Sequence, residues 1–77
     1  MITWHPTAGG YSATVMVDSV VLARLHARDD AWQIEHHGGI KTGKVSGVGY
    51  AKRAALEALA EVLAKATHEI DVALRSG

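Results

Sequence analysis

Two periodicities divide the chain. Up to about Lys44, hydrophobic and polar residues alternate with a period near two, punctuated by Gly and Asp; beyond it, an Ala/Leu/Glu-rich stretch repeats at helical spacing. Tyr11 to Val17 reads as a strand, with Tyr11, Ala13, Val15 and Val17 on one face and Ser12, Thr14 and Met16 on the other. Val21 to Arg28 reads as the next, with Val21, Ala23, Leu25 and Ala27 against Leu22, Arg24, His26 and Arg28. Ala31 to His37 follows, with Trp32, Ile34 and His36 against Gln33, Glu35 and His37, and Ile40 to Lys44 is a short fourth strand. Ile2 to His5 is either a short leading strand or an arm that lays Trp4 over the core.

Turn lengths fix the register. A two-residue turn at Asp29-Asp30 pairs Ala27 with Trp32, Leu25 with Ile34 and Arg24 with Glu35. A three-residue loop Asp18-Ser19-Val20 pairs Val17 with Val21, Val15 with Ala23 and Ala13 with Leu25. A three-residue loop His37-Gly38-Gly39 pairs His36 with Ile40 and Glu35 with Lys41, with Gly39 at a left-handed position. Together the three loops put every apolar set on one face, which a one-residue slip would undo. The Asp18-Ser19-Val20 loop is the weak point, because it lacks a glycine.

The helical pattern runs from about Val48 to about Leu74. Ala51, Ala55, Leu59, Val62, Ala66, Ile70 and Ala73 form one stripe, which Leu56, Leu63 and Leu74 widen; Arg53, Glu57, Glu61, His68 and Asp71 lie opposite. Glu61 and Lys65 form a favourable i,i+4 pair. Ser46-Gly47-Val48-Gly49 supplies the entry turn, and Gly77 lies past the exit. Such a helix is about 40 Å long at about 1.5 Å per residue, against about 20 Å for the strands. It must therefore overhang the sheet or break near Thr67-His68. An overhang would expose Ile70, Ala73 and Leu74 unless a second copy or a partner covers them.

These elements predict one α+β domain over residues 1–77: an antiparallel three- or four-stranded meander sheet packed on one face by a long C-terminal helix. The expected core is Tyr11, Ala13, Val15, Val21, Ala23, Leu25, Trp32, Ile34, Ala55, Leu59, Val62 and Ala66. A domain this small buries only about 60% of its unfolded surface, which favours a homodimer or a tight partner as a supplement.

Composition narrows the function by exclusion. Hydrophobic residues make up 48% and charged residues 21%, a globular mixture. Lys+Arg and Asp+Glu each total 8, and neutrality argues against both a general nucleic-acid binder and an acidic DNA mimic. With no cysteine there is neither a disulfide framework nor a thiolate zinc site. No secretory signal and no apolar run near the roughly 20 residues of a membrane span is present, so a cytoplasmic protein is expected.

Motifs for chemistry are weak. Gly38 to Val45 matches Gly-x4-Gly-Lys, but Val45 stands where a phosphate-binding loop needs Ser or Thr for magnesium; it reads as a hairpin. Ser46-Gly47-Val48-Gly49 could offer free N–H groups to an anion, with Lys44 as the only close basic neighbour. His36 and His37 point to opposite faces, and His68 with Asp71 lacks a third ligand, so no metal site is expected. Asp29-Asp30 is a turn rather than an acid–base pair. There is no nucleophile elbow, and the expected burial of Tyr11 and Trp32 removes a base-stacking platform. Neither an enzyme nor a cofactor is expected.

The outer sheet face remains. Its expected rows are Ser12, His26 and Gln33; Thr14, Arg24, Glu35 and Lys41; and Met16, Leu22 and His37. Alternating charge in the middle row suits cross-strand pairing. The partner-binding candidates are Met16 and Leu22 as apolar anchors with Arg24, His26, Glu35, His37 and Lys41 around them.

The string Trp4…Gly10-Tyr11-x-Ala13-x-Val15, Trp32-x-Ile34, Gly39 and Ala51-Lys52-x-Ala54-Ala55-x-x-Ala58 resembles a recurring pattern in small bacteriophage-encoded β-meander-plus-helix proteins. The resemblance spans most of the chain up to about Ala66, on core and turn positions. Several proteins of that plan are anti-CRISPR inhibitors, which block a bacterial interference complex without catalysis. The resemblance thus implies a non-enzymatic, stoichiometric inhibitor of a host protein complex. The Gly10-Tyr11 hairpin followed by a helix is also similar to HicB-type antitoxins, which implies a toxin-capping module. A third expectation is a small nucleic-acid-binding module using Arg24, Arg28, Lys41 and Lys44.

Overall fold

A computed structural model describes residues 2–76; Gly77, read as lying past the helix exit, is outside the described residues. Five antiparallel strands form one sheet in the order β1-β2-β3-β4-β5: β1 His5–Thr7, β2 Gly10–Val17, β3 Val20–Ala27, β4 Ala31–His36 and β5 Gly39–Lys44. The helix α1, Val48–Ser76, packs across β3 and β4. The meander and the single covering helix agree with expectation. The strand number does not: β1 is a fifth strand, and it starts at His5 instead of occupying residues 2–5. Trp4, just before it, packs against the core as an arm would.

The β3–β4 hairpin has the expected register, with Arg24 opposite Glu35, Leu25 opposite Ile34 and Ala27 opposite Trp32. Leu25 and Ile34, the two largest fully buried side chains, sit side by side under Ala55 and Leu59. Alanines at Ala13, Ala23, Ala51 and Ala55 are buried at the same interface, and their small side chains let helix and sheet approach closely.

The β2–β3 connection differs in detail. Its turn holds two residues, Asp18 and Ser19, both with positive φ (51° and 65°), the geometry whose twist suits a tight hairpin. Val17 pairs with Val20 and Met16 with Val21; a bulge then leaves Leu22 without a partner, and Val15 meets Ala23. The turn is one residue shorter than expected and the bulge one longer, so the far pairings survive. Between them the phase inverts. Val21, expected in the core, is 48% exposed on the outer face, whereas Leu22 is half-buried against the core.

The β4–β5 connection is a true slip. The turn is His37-Gly38, so His36 pairs with Gly39, Glu35 with Ile40 and Ile34 with Lys41. Every side chain of β5 changes face. The reason lies at Gly43, which now stands opposite Trp32: a Cβ there would overlap the Trp32 indole, whose ring occupies that space. The expected register would have put Lys44 there. The rest of β5 has no apolar set to contest the choice.

The helix starts where it is tied down. Gly47 N–H donates to the Asp29 carbonyl at 2.6 Å and Val45 N–H to the Asp30 carbonyl at 3.0 Å, fixing the β5–α1 loop to the β3–β4 turn. One turn on, the Lys52 ammonium sits 3.8 Å from the Tyr11 ring centroid and 5.8 Å from that of Trp4. From there α1 runs toward the opposite end of the sheet without a break at Thr67-His68, where Thr67 bonds back to the Leu63 carbonyl. Only Ala51, Ala55 and Leu59 are buried on it; Val62 is half-buried, and Ala66, expected in the core, is exposed with everything beyond Val62. Residues 63–76 thus overhang as about 21 Å of bare helix at about 1.5 Å per residue. Tyr11 and Trp32 are half-buried rather than fully enclosed.

Candidate functional site

The helix covers one face of the sheet and leaves the other bare. Because Ala13, Leu25 and Ile34 point at the helix, their chain neighbours point away from it. The registers assemble these neighbours into rows. His5, Ser12, His26, Gln33 and Thr42 cross all five strands. Thr14, Arg24, Glu35 and Ile40 cross four. Met16 and Val21 form a third row at the β2–β3 end, and Arg28 with Ala31 and Lys44 lies at the other end.

The proposed partner residues divide accordingly. Arg24, His26 and Glu35 lie together at the centre of the bare face. Met16 is exposed on it beside Val21, and His37 is exposed at its rim in the β4–β5 turn. Leu22 is no exposed anchor, since the bulge turns it into the core's edge. Lys41 is not in the central row, since the slip sets it opposite Ile34 on the helix side. Val21 and Ile40 take the apolar places instead, at 48% and 65% exposure. The alternation alone hid them; the demand of Trp32 for a glycine across the strand was the one signal that could have placed Ile40.

The charge arrangement also differs from simple cross-strand pairing. The Glu35 carboxylate accepts a hydrogen bond from the Gln33 amide at 3.1 Å and lies 3.7 Å from His26 Nε2. It thus turns along its own strand and toward the first row. Among the described residues Arg24, directly opposite, has no carboxylate within 4.0 Å. Arg24, Arg28 and Lys44 are exposed cations on this face, against Glu35 as its one strand-borne carboxylate. Two shallow open depressions mark it. One, of about 290 Å³, is lined by His26, Arg28, Gln33, Glu35 and Thr42 with Ala31 and Trp32. The other, of about 250 Å³, lies between Val21–Arg24 and Glu35–His37.

Among the described residues, no three His, Asp or Glu side chains stand close enough to hold a metal ion, and no helix is long and apolar enough to cross a membrane. The Gly38–Val45 segment is a hairpin within an antiparallel sheet rather than a loop between a parallel strand and a helix. Ser46 and Gly47 form the helix entry, and the Gly47 N–H that an anion would use is taken by Asp29. No protein-family model, no curated protein and no solved structure matches the chain.

Proposed function

We propose that the chain is a non-catalytic binding protein that acts in the host cytoplasm by stoichiometric occupation of an acidic surface on a host protein complex. The observation that carries this is Arg24: an exposed guanidinium that has no carboxylate partner among the described residues, at the centre of an uncovered sheet face, with Ile40 along its own row and Met16 and Val21 in the next. A charged fork with apolar neighbours has the make-up of an interface centre. The depressions are too open to enclose a small substrate. The most specific form of the reading is an anti-CRISPR inhibitor, supported by the resemblance carried by Trp4, Gly10-Tyr11, Trp32-x-Ile34 and the Ala51–Ala58 pattern.

The test is a titration of the chain into an assembled interference complex cleaving its target DNA. Cleavage should fall to zero near one equivalent, and Arg24→Glu should remove the effect without changing the chain's own unfolding midpoint. Full cleavage at a tenfold excess overturns the anti-CRISPR form. The toxin-capping alternative uses the same face and predicts rescue of a cognate toxin instead.

A second reading draws on Arg24, Arg28 and Lys44 sharing one bare face, an arrangement that also suits a phosphate backbone. Binding to random duplex that weakens linearly with the logarithm of salt, and that loses slope in Arg28→Ala, favours this nucleic-acid module.

A further inference from the structure

A different surface carries a second, independent inference. Beyond Val62 the helix leaves the sheet, yet its sequence keeps an apolar seam. Leu56, Leu63 and Ile70 recur at seven-residue intervals, and so do Leu59, Ala66 and Ala73, the spacing by which one helix packs along another. The sheet uses Leu59; Leu63 is part-covered at 38% exposure, and Ala66, Ile70 and Ala73 stand exposed. At the same end of the sheet, Val17 and Val20 pair with each other on the helix side and are 53% and 58% exposed. Overhang and hairpin tip thus leave apolar side chains exposed at the same end of the sheet.

We propose that the overhang is covered by the overhanging helix of a second copy of this chain, antiparallel, across a twofold axis near residue 68. Three observations select that occupant. The first is length. With residue i level with residue 136 − i of the second copy, its residue 76 stands beside residue 60, where the chain's own sheet takes over the covering of α1. The second helix therefore fills the layer the sheet vacates and stops where the sheet begins. The second is shape. In that register Ala66 faces Ile70 and Leu63 faces Ala73, so each small side chain meets a large one. A parallel pair would set Ile70 on Ile70 and leave Ala66 against Ala66, with voids between layers. The third is the apolar surface at that end: Val17 and Val20 are exposed on the helix side of the hairpin tip, and Leu74 is 73% exposed beyond the sheet. The symmetry closes, so a dimer forms and not a filament.

Sedimentation equilibrium at tens of micromolar should give twice the chain mass of 8.2 kDa. Ile70 is outside the core cluster and is 61% exposed, so Ile70→Asp should keep the fold, read by the fluorescence of Trp4 and Trp32, and sediment at the chain mass. Ala73→Glu should do the same. The chain has no cysteine, so orientation can be read by introduced thiols. A mixture of Ala66→Cys and Ile70→Cys should oxidise to the mixed disulfide several-fold faster than Ile70→Cys alone forms its own. Sedimentation of the unmodified chain as a monomer at 100 micromolar, or of Ile70→Asp as a dimer, overturns the proposal. Faster self-coupling of Ile70→Cys overturns the antiparallel register.

Discussion

The two halves of α1 carry the same kind of sequence and meet different fates. Residues 48–62 bury Ala51, Ala55 and Leu59, the last two against Leu25 and Ile34; residues 63–76 present Leu63, Ala66, Ile70 and Ala73 at the same spacing and bury none of them. An amphipathic pattern states which side of a helix seeks cover. It does not supply the cover, which depends on how far the neighbouring layer extends. Strands of six to eight residues end well short of a helix of 29. The first half is thus held by tertiary packing, and the second, taken alone, by local helix propensity and the Glu61–Lys65 pair.

Truncating one apolar side chain in each region should separate the two halves most widely. Ile34→Ala should destabilise the chain by about 2–5 kcal/mol, because its cavity opens beneath Ala55 and Leu59. Ile70→Ala, measured at nanomolar chain concentration, should stay within about 0.5 kcal/mol of the parent. Equal losses in urea titrations would mean that the overhang packs against its own sheet. Gly43→Ala comes next, at about 1–3 kcal/mol, since the added methyl must displace the Trp32 ring; Thr42→Ala, one residue away and exposed, should be nearly silent. Ser19→Gly should move the other way. It relieves a left-handed non-glycine residue in a turn where Asp-Gly is favoured, and should raise stability by about 1 kcal/mol, read as a shift of the urea midpoint at constant slope. Lys52→Ala should cost about 0.5–1 kcal/mol through the lost contact with the Tyr11 ring. The smallest perturbation is none at all: in dilute solution, amide hydrogens of residues 63–76 should exchange roughly tenfold or more faster than those around Ala55, and gain protection as concentration rises.

Three of the four sheet connections repeat the lesson at smaller scale. At Asp29-Asp30 both flanking strands carry strong apolar alternation, Ala27 and Leu25 against Trp32 and Ile34, and only one register satisfies both. At Asp18-Ser19 alternation was equally strong farther from the turn, but one residue could move between turn and bulge without disturbing Val15 and Ala23. The alternation therefore misassigned Val21 and Leu22 while it placed the rest. At His37-Gly38 the following strand, Gly39–Lys44, alternates nothing that one face would reject. Its phase was decided by the Trp32 indole lying where residue 43 has no side chain. That shift moved Lys41 off the central row of the candidate face and brought Ile40 onto it.

Local patterns with a single reading were enough to place a β-meander followed by a helix, the Leu25–Ile34 centre of the core, and the solvent-facing positions of Arg24, His26 and Glu35. These follow from alternation and helical spacing, which any covering layer must respect. The rest was settled by contacts between groups far apart along the chain. The bulge at Leu22 reconciles a tight turn with a distant register; the phase of β5 answers to a ring on β4. The Glu35 carboxylate turns to Gln33 and His26 and so away from Arg24 across the strand. The length of helix left bare is set by where the sheet stops.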